Sequence, residues 1–168
     1  AAFVQTPNGH DAWGHDIIYE FTGDDDFWLY VDGELVIDLG GIHSSVPGSV
    51  NFRTGDVRVN GVPTTLKDLF YNNFIARGGS PEDAQAYVDG IFVERIVEGR
   101  PCYVFDDYST HTMKAFYMER GAGASNLRMR FNLASVKKKT VELTKKLTGP
   151  EDSVMAEFPY QISYKDAA

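Results

Sequence analysis

Two short runs, Phe27 to Val31 and Glu34 to Leu39, are apolar at nearly every position. Asp32-Gly33 separates them, and an Asp-Gly pair between two such runs predicts a two-residue hairpin. Apolar character on both faces predicts arms at the centre of a β-sandwich. Ile17 to Phe21 predicts a strand just before, and Gly40-Gly41 ends the second arm. Residues 1–16 are polar and turn-rich, with Pro7, Gly9 and Gly14. Residues 44–62 read as a loop with short extended pieces. Within them, Val57-Arg58-Val59 followed by Asn60-Gly61 predicts a small hairpin.

The period then changes. Leu66, Leu69, Phe70 and Phe74 fall on one helical face, and Thr65 with Asp68 three residues on forms an N-terminal capping pair. Ser80-Pro81-Glu82-Asp83 opens a second helix with a cap, a proline in the first turn and two acids at the positive end of the dipole. Its apolar face takes Ala84, Tyr87, Val88, Ile91, Phe92 and Ile96, with Gly99 as the stop. From Pro101 the pattern is β again. Lys114 to Glu119 and Leu127 to Leu133 predict strands on either side of a small-residue loop, Arg120 to Ser125. Leu127, Met129, Phe131 and Leu133 alternate with Arg128, Arg130 and Asn132, which predicts one buried and one wet face.

Near Val136 the composition shifts. Lys137-Lys138-Lys139 reads as a solvated linker, and two further strands are expected around Val141 to Leu147 and Phe158 to Tyr164. Two strands are too few for an independent domain. They either complete the sandwich or begin a neighbouring domain. The organisation is therefore one domain over residues 1–136, with a helical insertion at about 64–99, and a further segment at 137–168.

The 168 residues carry 24 acids against 16 bases, a net charge of −8. That balance argues against nucleic acid, which needs a basic face. No apolar run approaches a membrane span, so this segment is not expected to insert. Cys102 is the only cysteine, so no intrachain disulfide is possible.

Three adjacent acids, Asp24, Asp25 and Asp26, stand at the mouth of the first hairpin arm. Adjacent carboxylates repel, and more so as they are desolvated. They are either solvated or they hold a cation, and oxygen donors on a β scaffold point to Ca2+, which takes about six to eight oxygens. Asn126, after the glycine-rich loop, is a further candidate ligand. His43 follows Gly41 and is placed on the same surface. Trp28 and Tyr30 would stack on a sugar if they face outward and pack in the core if they do not. The spacing is not that of an EF-hand. The four histidines have no zinc spacing and read as surface or hydrogen-bonded imidazoles. A Ser-His-Asp set can be assembled around Ser109 and His111, but no nucleophile elbow accompanies it. A carboxylate pair for glycoside hydrolysis needs two acids on opposite sides of a bond, which adjacent positions supply poorly.

Gly23 to Gly41, GDDDFWLYVDGELVIDLGG, with Ile42-His43 after it, resembles the fibro-slime domain of bacterial surface proteins. His111 to Leu133, HTMKAFYMERGAGASNLRMRFNL, resembles the closing motif of that family. The domain is similar to the PA14 superfamily, and the resemblance implies a mostly β, PA14-like sandwich, here with a two-helix insertion. In the lectin branch of that superfamily, two consecutive Asp residues joined by a cis peptide hold calcium, which binds sugar hydroxyls. The matching positions are Asp24 and Asp25, Asp26 stands where glycine is frequent, and Asn126 is a loose match to an Asn ligand. The tail, VELTKKLTGPEDSVMAEFPYQI, resembles the start of a Cna-B or pilin-like domain, with Lys145 or Lys146 as its isopeptide lysine.

These resemblances imply a calcium-dependent, carbohydrate-binding adhesion module, not an enzyme. Its setting would be a Gram-positive, extracellular, cell wall-anchored surface or pilus-like protein with further stalk domains. Its partner would be a host or microbial glycan, or a surface protein. A structural or protein-binding module in which calcium only rigidifies loops is the alternative, and a carbohydrate-active enzyme ranks third.

Overall fold

The computed structural model describes residues 1–41, 43–119 and 126–135. In chain order these form β1 (Ala2–Val4), β2 (Ile18–Gly23), β3 (Asp26–Val31), β4 (Glu34–Leu39), β5 (Val46–Asn51), β6 (Asp56–Val59), β7 (Val62–Thr65), α1 (Leu66–Ala76), α2 (Pro81–Asp89), β8 (Phe92–Val97), β9 (Arg100–Phe105), β10 (Thr110–Met118), β11 (Leu127–Phe131) and β12 (Ala134–Ser135). Two five-stranded antiparallel sheets build the sandwich. The first runs β12-β1-β10-β3-β4 and the second β11-β2-β5-β6-β7. The fold is mostly β with two helices, as the pattern of apolar positions predicts.

The core lies between the sheets because alternate residues of each strand turn inward. Phe27, Leu29 and Val31 of β3 and Ile37 and Leu39 of β4 meet Tyr19, Phe21, Val50 and Val57 from the second sheet. Phe21 and Phe27 stack with ring centroids 3.9 Å apart. The hairpin turn takes φ +50° at Asp32 and +85° at Gly33. Two successive left-handed residues match the twist of the flanking strands.

The segment between β7 and β10 adds to this core. The caps form as expected: Asp68 N donates to Thr65 Oγ1 at 3.1 Å, and Asp83 N to Ser80 Oγ at 3.1 Å. Each is worth about 1 kcal/mol. Phe70 of α1 is fully buried among Tyr87, Phe92 and Phe105. The insertion thus extends the hydrophobic core beyond the sandwich strands.

Four expectations need correction. The second helix ends at Asp89, with Gly90 as its cap, and the chain continues as the β8–β9 hairpin. Glycine at 90 and β-branched Val93, Ile96 and Val97 favour that outcome. Glu98 and Gly99 are the left-handed turn of the hairpin, not a helix stop. Residues 46–51 are a full strand, not a loop; Pro47 and Gly48 obscure an inward row of Val46, Gly48 and Val50. A methyl at Gly48 would lie 2.8 Å from Ile37 Cγ2, so that row needs glycine where the sheets meet. The turn-rich N-terminal stretch holds β1, whose Phe3 is buried. The alternation of β11 is real, but Leu127, Met129 and Phe131 are exposed among the described residues, because β11 is a sheet edge. The described fold belongs to the unit Ala1–Lys137. The Cna-B-like strands expected at 137–168, with Lys145 and Lys146, lie outside the described residues.

Candidate functional site

β2 leaves the second sheet at Gly23 and β3 enters the first at Asp26, so Asp24-Asp25 bridges the two sheets at one end of the sandwich. Gly23 permits this path. A Cβ there would lie 2.7 Å from the Phe21 ring and 2.9 Å from the Asn126 carbonyl oxygen. The three acids then diverge. Asp24 Oδ1 accepts the backbone N–H of Asn126 at 3.0 Å. Asp25, nearly buried, accepts the phenol of Tyr117 on β10. Asp26, fully buried, accepts the backbone N–H of Gly41 at 2.7 Å. The triplet therefore ties together residues at the starts or ends of β4, β10 and β11. No cis peptide bond occurs among the described residues, so the Asp24-Asp25 bond is trans, unlike the pair in the lectin branch.

His43 is brought into the same region. Its Nε2 lies 2.9 Å from Leu39 O and its Nδ1 3.0 Å from Ser44 O. Carbonyl oxygens only accept, so the protonated ring, with an N–H on each nitrogen, is the form that satisfies both contacts. The Leu39 carbonyl holds its pKa above the usual histidine value against desolvation, helped by the Ser44 carbonyl and the charges of Asp26 and Asp24. The chain itself thus places an imidazole whose protonated form is favoured beside the acids.

Trp28 and Tyr30 face outward. They alternate with fully buried Phe27, Leu29 and Val31, and both are half-buried on the outer face of the first sheet. Their cross-strand partners on β10 are Phe116 and Lys114. Phe116 is 53 % exposed and meets Tyr30 edge-on with centroids 5.7 Å apart. Trp28 lies over Gly40, where a Cβ would sit 2.9 Å from the indole. The result is an aromatic platform that leads toward the acids. Phe116 and Tyr117 escape sequence reasoning because only the pairing of β10 with β3 puts them there.

Ser109, His111 and Asp32 also converge. His111 Nδ1 is 2.6 Å from Asp32 Oδ2 and its Nε2 is 2.6 Å from Ser109 Oγ. Ser109 Oγ is also 2.6 Å from Asp106 O, which can only accept, so the hydroxyl proton points there. With its proton on that carbonyl, the hydroxyl is not hydrogen-bonded to the ring as a nucleophile is to its base. Asp32 accepts Thr112 N at 2.7 Å as well. The set clamps the β3–β4 turn to β10.

Among the described residues, no group of three or more His, Cys, Asp or Glu is arranged to hold a metal ion. Any shell at Asp24 and Asp25 therefore needs oxygens from amides, carbonyls or water, which is the donor mix calcium accepts.

Short stretches of the chain are similar to proteins of Dictyostelium discoideum. Protein psiP is 56 % identical over 34 residues, 20 % of this chain and 4 % of that protein. Protein psiG is 42 % identical over 53 residues, 32 % and 7 %. Protein psiE is 49 % identical over 37 residues, 22 % and 7 %. The matched stretches span less than a tenth of these relatives. No family model and no solved structure matches.

Proposed function

We propose that this domain is a calcium-dependent, glycan-binding adhesion module of an extracellular surface protein, PA14-like in kind. The observation that carries the reading is the juxtaposition of the Asp24-Asp25 bridge with an outward aromatic platform, Trp28, Tyr30 and Phe116. Asp24 and Asp25 would hold the ion, with Asn126 beside them. Bound calcium supplies a Lewis-acidic contact for vicinal hydroxyls, and the aromatics supply an apolar face for the sugar ring.

A second reading rests on the hydrogen bonds of the same acids. Asp24, Asp25 and Asp26 each accept a donor from a different strand or loop, and the raised pKa of His43 favours its protonated form beside them. In that reading the acids organise loop ends, calcium only rigidifies them, and the partner is a protein.

Thermal unfolding with calcium and with chelator, followed by a glycan array in both conditions, separates them. A ligand at about 100 times its Kd stabilises the native state by about 2.7 kcal/mol. The first reading expects that gain, its loss in Asp25→Ala, and glycan signal lost in Phe116→Ala without loss of fold. A calcium gain with no glycan signal leaves the second reading. No calcium effect on the wild-type chain sinks both metal roles.

A further inference from the structure

We infer that the outer face of the second sheet is a separate, calcium-independent site for an acidic polysaccharide bearing carboxylates and hydroxyls. The strand register builds it. Arg130, Glu20, Ser49 and Arg58 are successive cross-strand neighbours on β11, β2, β5 and β6. Arg128 and Thr22 form the next row, ending at Pro47. Two hollows lie along this face, of about 280 Å³ and about 230 Å³, and they share Glu20 and Ser49 as a common wall. Side by side they cross three strand spacings from Arg130 to Arg58, about 14 Å.

Its chemistry is specific. Arg128 and Arg58 are exposed, and neither makes a side-chain hydrogen bond among the described residues. Arg130 pairs only loosely with Glu20, at 3.7 Å. Asp56, beside Arg58, has both oxygens taken by Arg100 at 3.1 and 2.7 Å. The hollows are thus lined by three guanidiniums to two carboxylates, one of which is already neutralised by Arg100, on a chain of net charge −8. Arg58 sits on β6, an interior strand, where a charge is not needed to protect a sheet edge. Between the arginines the lining is Glu20, Thr22 and Ser49, with no aromatic side chain exposed in the floor. That argues against a nucleic acid, whose bases need stacking surfaces. Guanidinium forks at both ends fit carboxylates. The acceptor Glu20 and the hydroxyls in the middle fit sugar hydroxyls, which an acidic peptide lacks along its backbone. A uronic acid polymer carries both groups on every residue.

The test is calorimetry of the full chain with polygalacturonate, alginate, neutral dextran and poly-glutamate, in the presence of EDTA. The uronate polymers are expected to bind, more weakly as salt rises, and dextran is not. Arg58→Gln, and Arg128→Gln with Arg130→Gln, each weaken binding by about tenfold, and Trp28→Ala leaves it unchanged. Poly-glutamate binding as well as the uronates, equal uronate binding by the triple glutamine variant, or no uronate binding overturns the proposal. Dependence on calcium or on Trp28 also overturns it, by assigning the ligand to the other sheet. A second measurement needs no variant. On titration with polygalacturonate, the wild-type amide resonances of Thr22 and Ser49 shift and that of Tyr30 does not; the reverse pattern refutes the site.

Discussion

Arg77, the residue that ends α1, closes a two-pronged ion pair on Glu34 at the start of β4. Nη1 donates to Oε2 at 2.6 Å and Nη2 to Oε1 at 2.7 Å. Tyr87 of α2 adds its hydroxyl to Oε1 at 2.9 Å. The carboxylate side is 5 % exposed and the guanidinium side 53 %. Both helices of the insertion are thereby fastened to the central hairpin.

Removing the cation leaves that carboxylate almost buried and short of donors. Arg77→Met is expected to lower stability by about 2 kcal/mol, between an exposed and a buried pair. Tyr87→Phe is expected to cost about 1 kcal/mol. Denaturant midpoints at neutral pH measure both.

Stability should depend on pH at two ends. Burial pushes Glu34 up, but Arg77 and Tyr87 outweigh it and hold the carboxyl below its ordinary 4.5. Asp32 is likewise held below 3.8, burial being outweighed by His111 and Thr112. Lowered carboxyls contribute stability above their ordinary values and lose it as pH falls through the folded ones. His43 is raised above 6.5, so its contribution is present below 6.5 and fades as pH rises through the folded value. Unfolding midpoints of wild type and His43→Gln across pH should converge toward the alkaline end; a constant difference contradicts the raised pKa.

Phe70→Ala should destabilise the entire fold. A buried phenylalanine truncated to alanine costs about 3–5 kcal/mol, and its neighbours come from α2, β8 and β9. Aromatic and far-ultraviolet signals are expected to move together to a lower midpoint. Separate transitions would mean that the insertion folds on its own.

Gly23→Ala places a methyl 2.7 Å from Phe21 and 2.9 Å from the Asn126 carbonyl. Overpacking of that kind costs about 1–3 kcal/mol. The Asn126 amide should also lose hydrogen-exchange protection, because its bond to Asp24 depends on that close approach. Wild-type-like protection would disprove this account of the bridge.

The sandwich strands around Asp32-Gly33, the Thr65 and Ser80 caps and the mostly β class were legible in the chain, because period, turn chemistry and capping are local. Residues 92–97 were not. Ile91, Phe92 and Ile96 continue a helical spacing, and only pairing with β9 makes them a strand. β5 was hidden for a related reason: Pro47 and Gly48 look like a loop until their neighbours on β2 and β6 are known.

At the candidate site, the sequence by itself determined which groups carry charge and where a hairpin turns: three adjacent acids, an Asp-Gly pair, aromatics at alternate positions. The tertiary structure decided what each one does. It sent Asp24, Asp25 and Asp26 to three different partners, turned Trp28 and Tyr30 outward, and drew Ser109, His111 and Asp32 into one clamp. It also aligned Arg58 with Arg128 and Arg130 across a sheet. Local patterns encode the conformation of a few neighbouring residues, whereas partners separated by scores of residues are selected only when the sheets pair and the core closes.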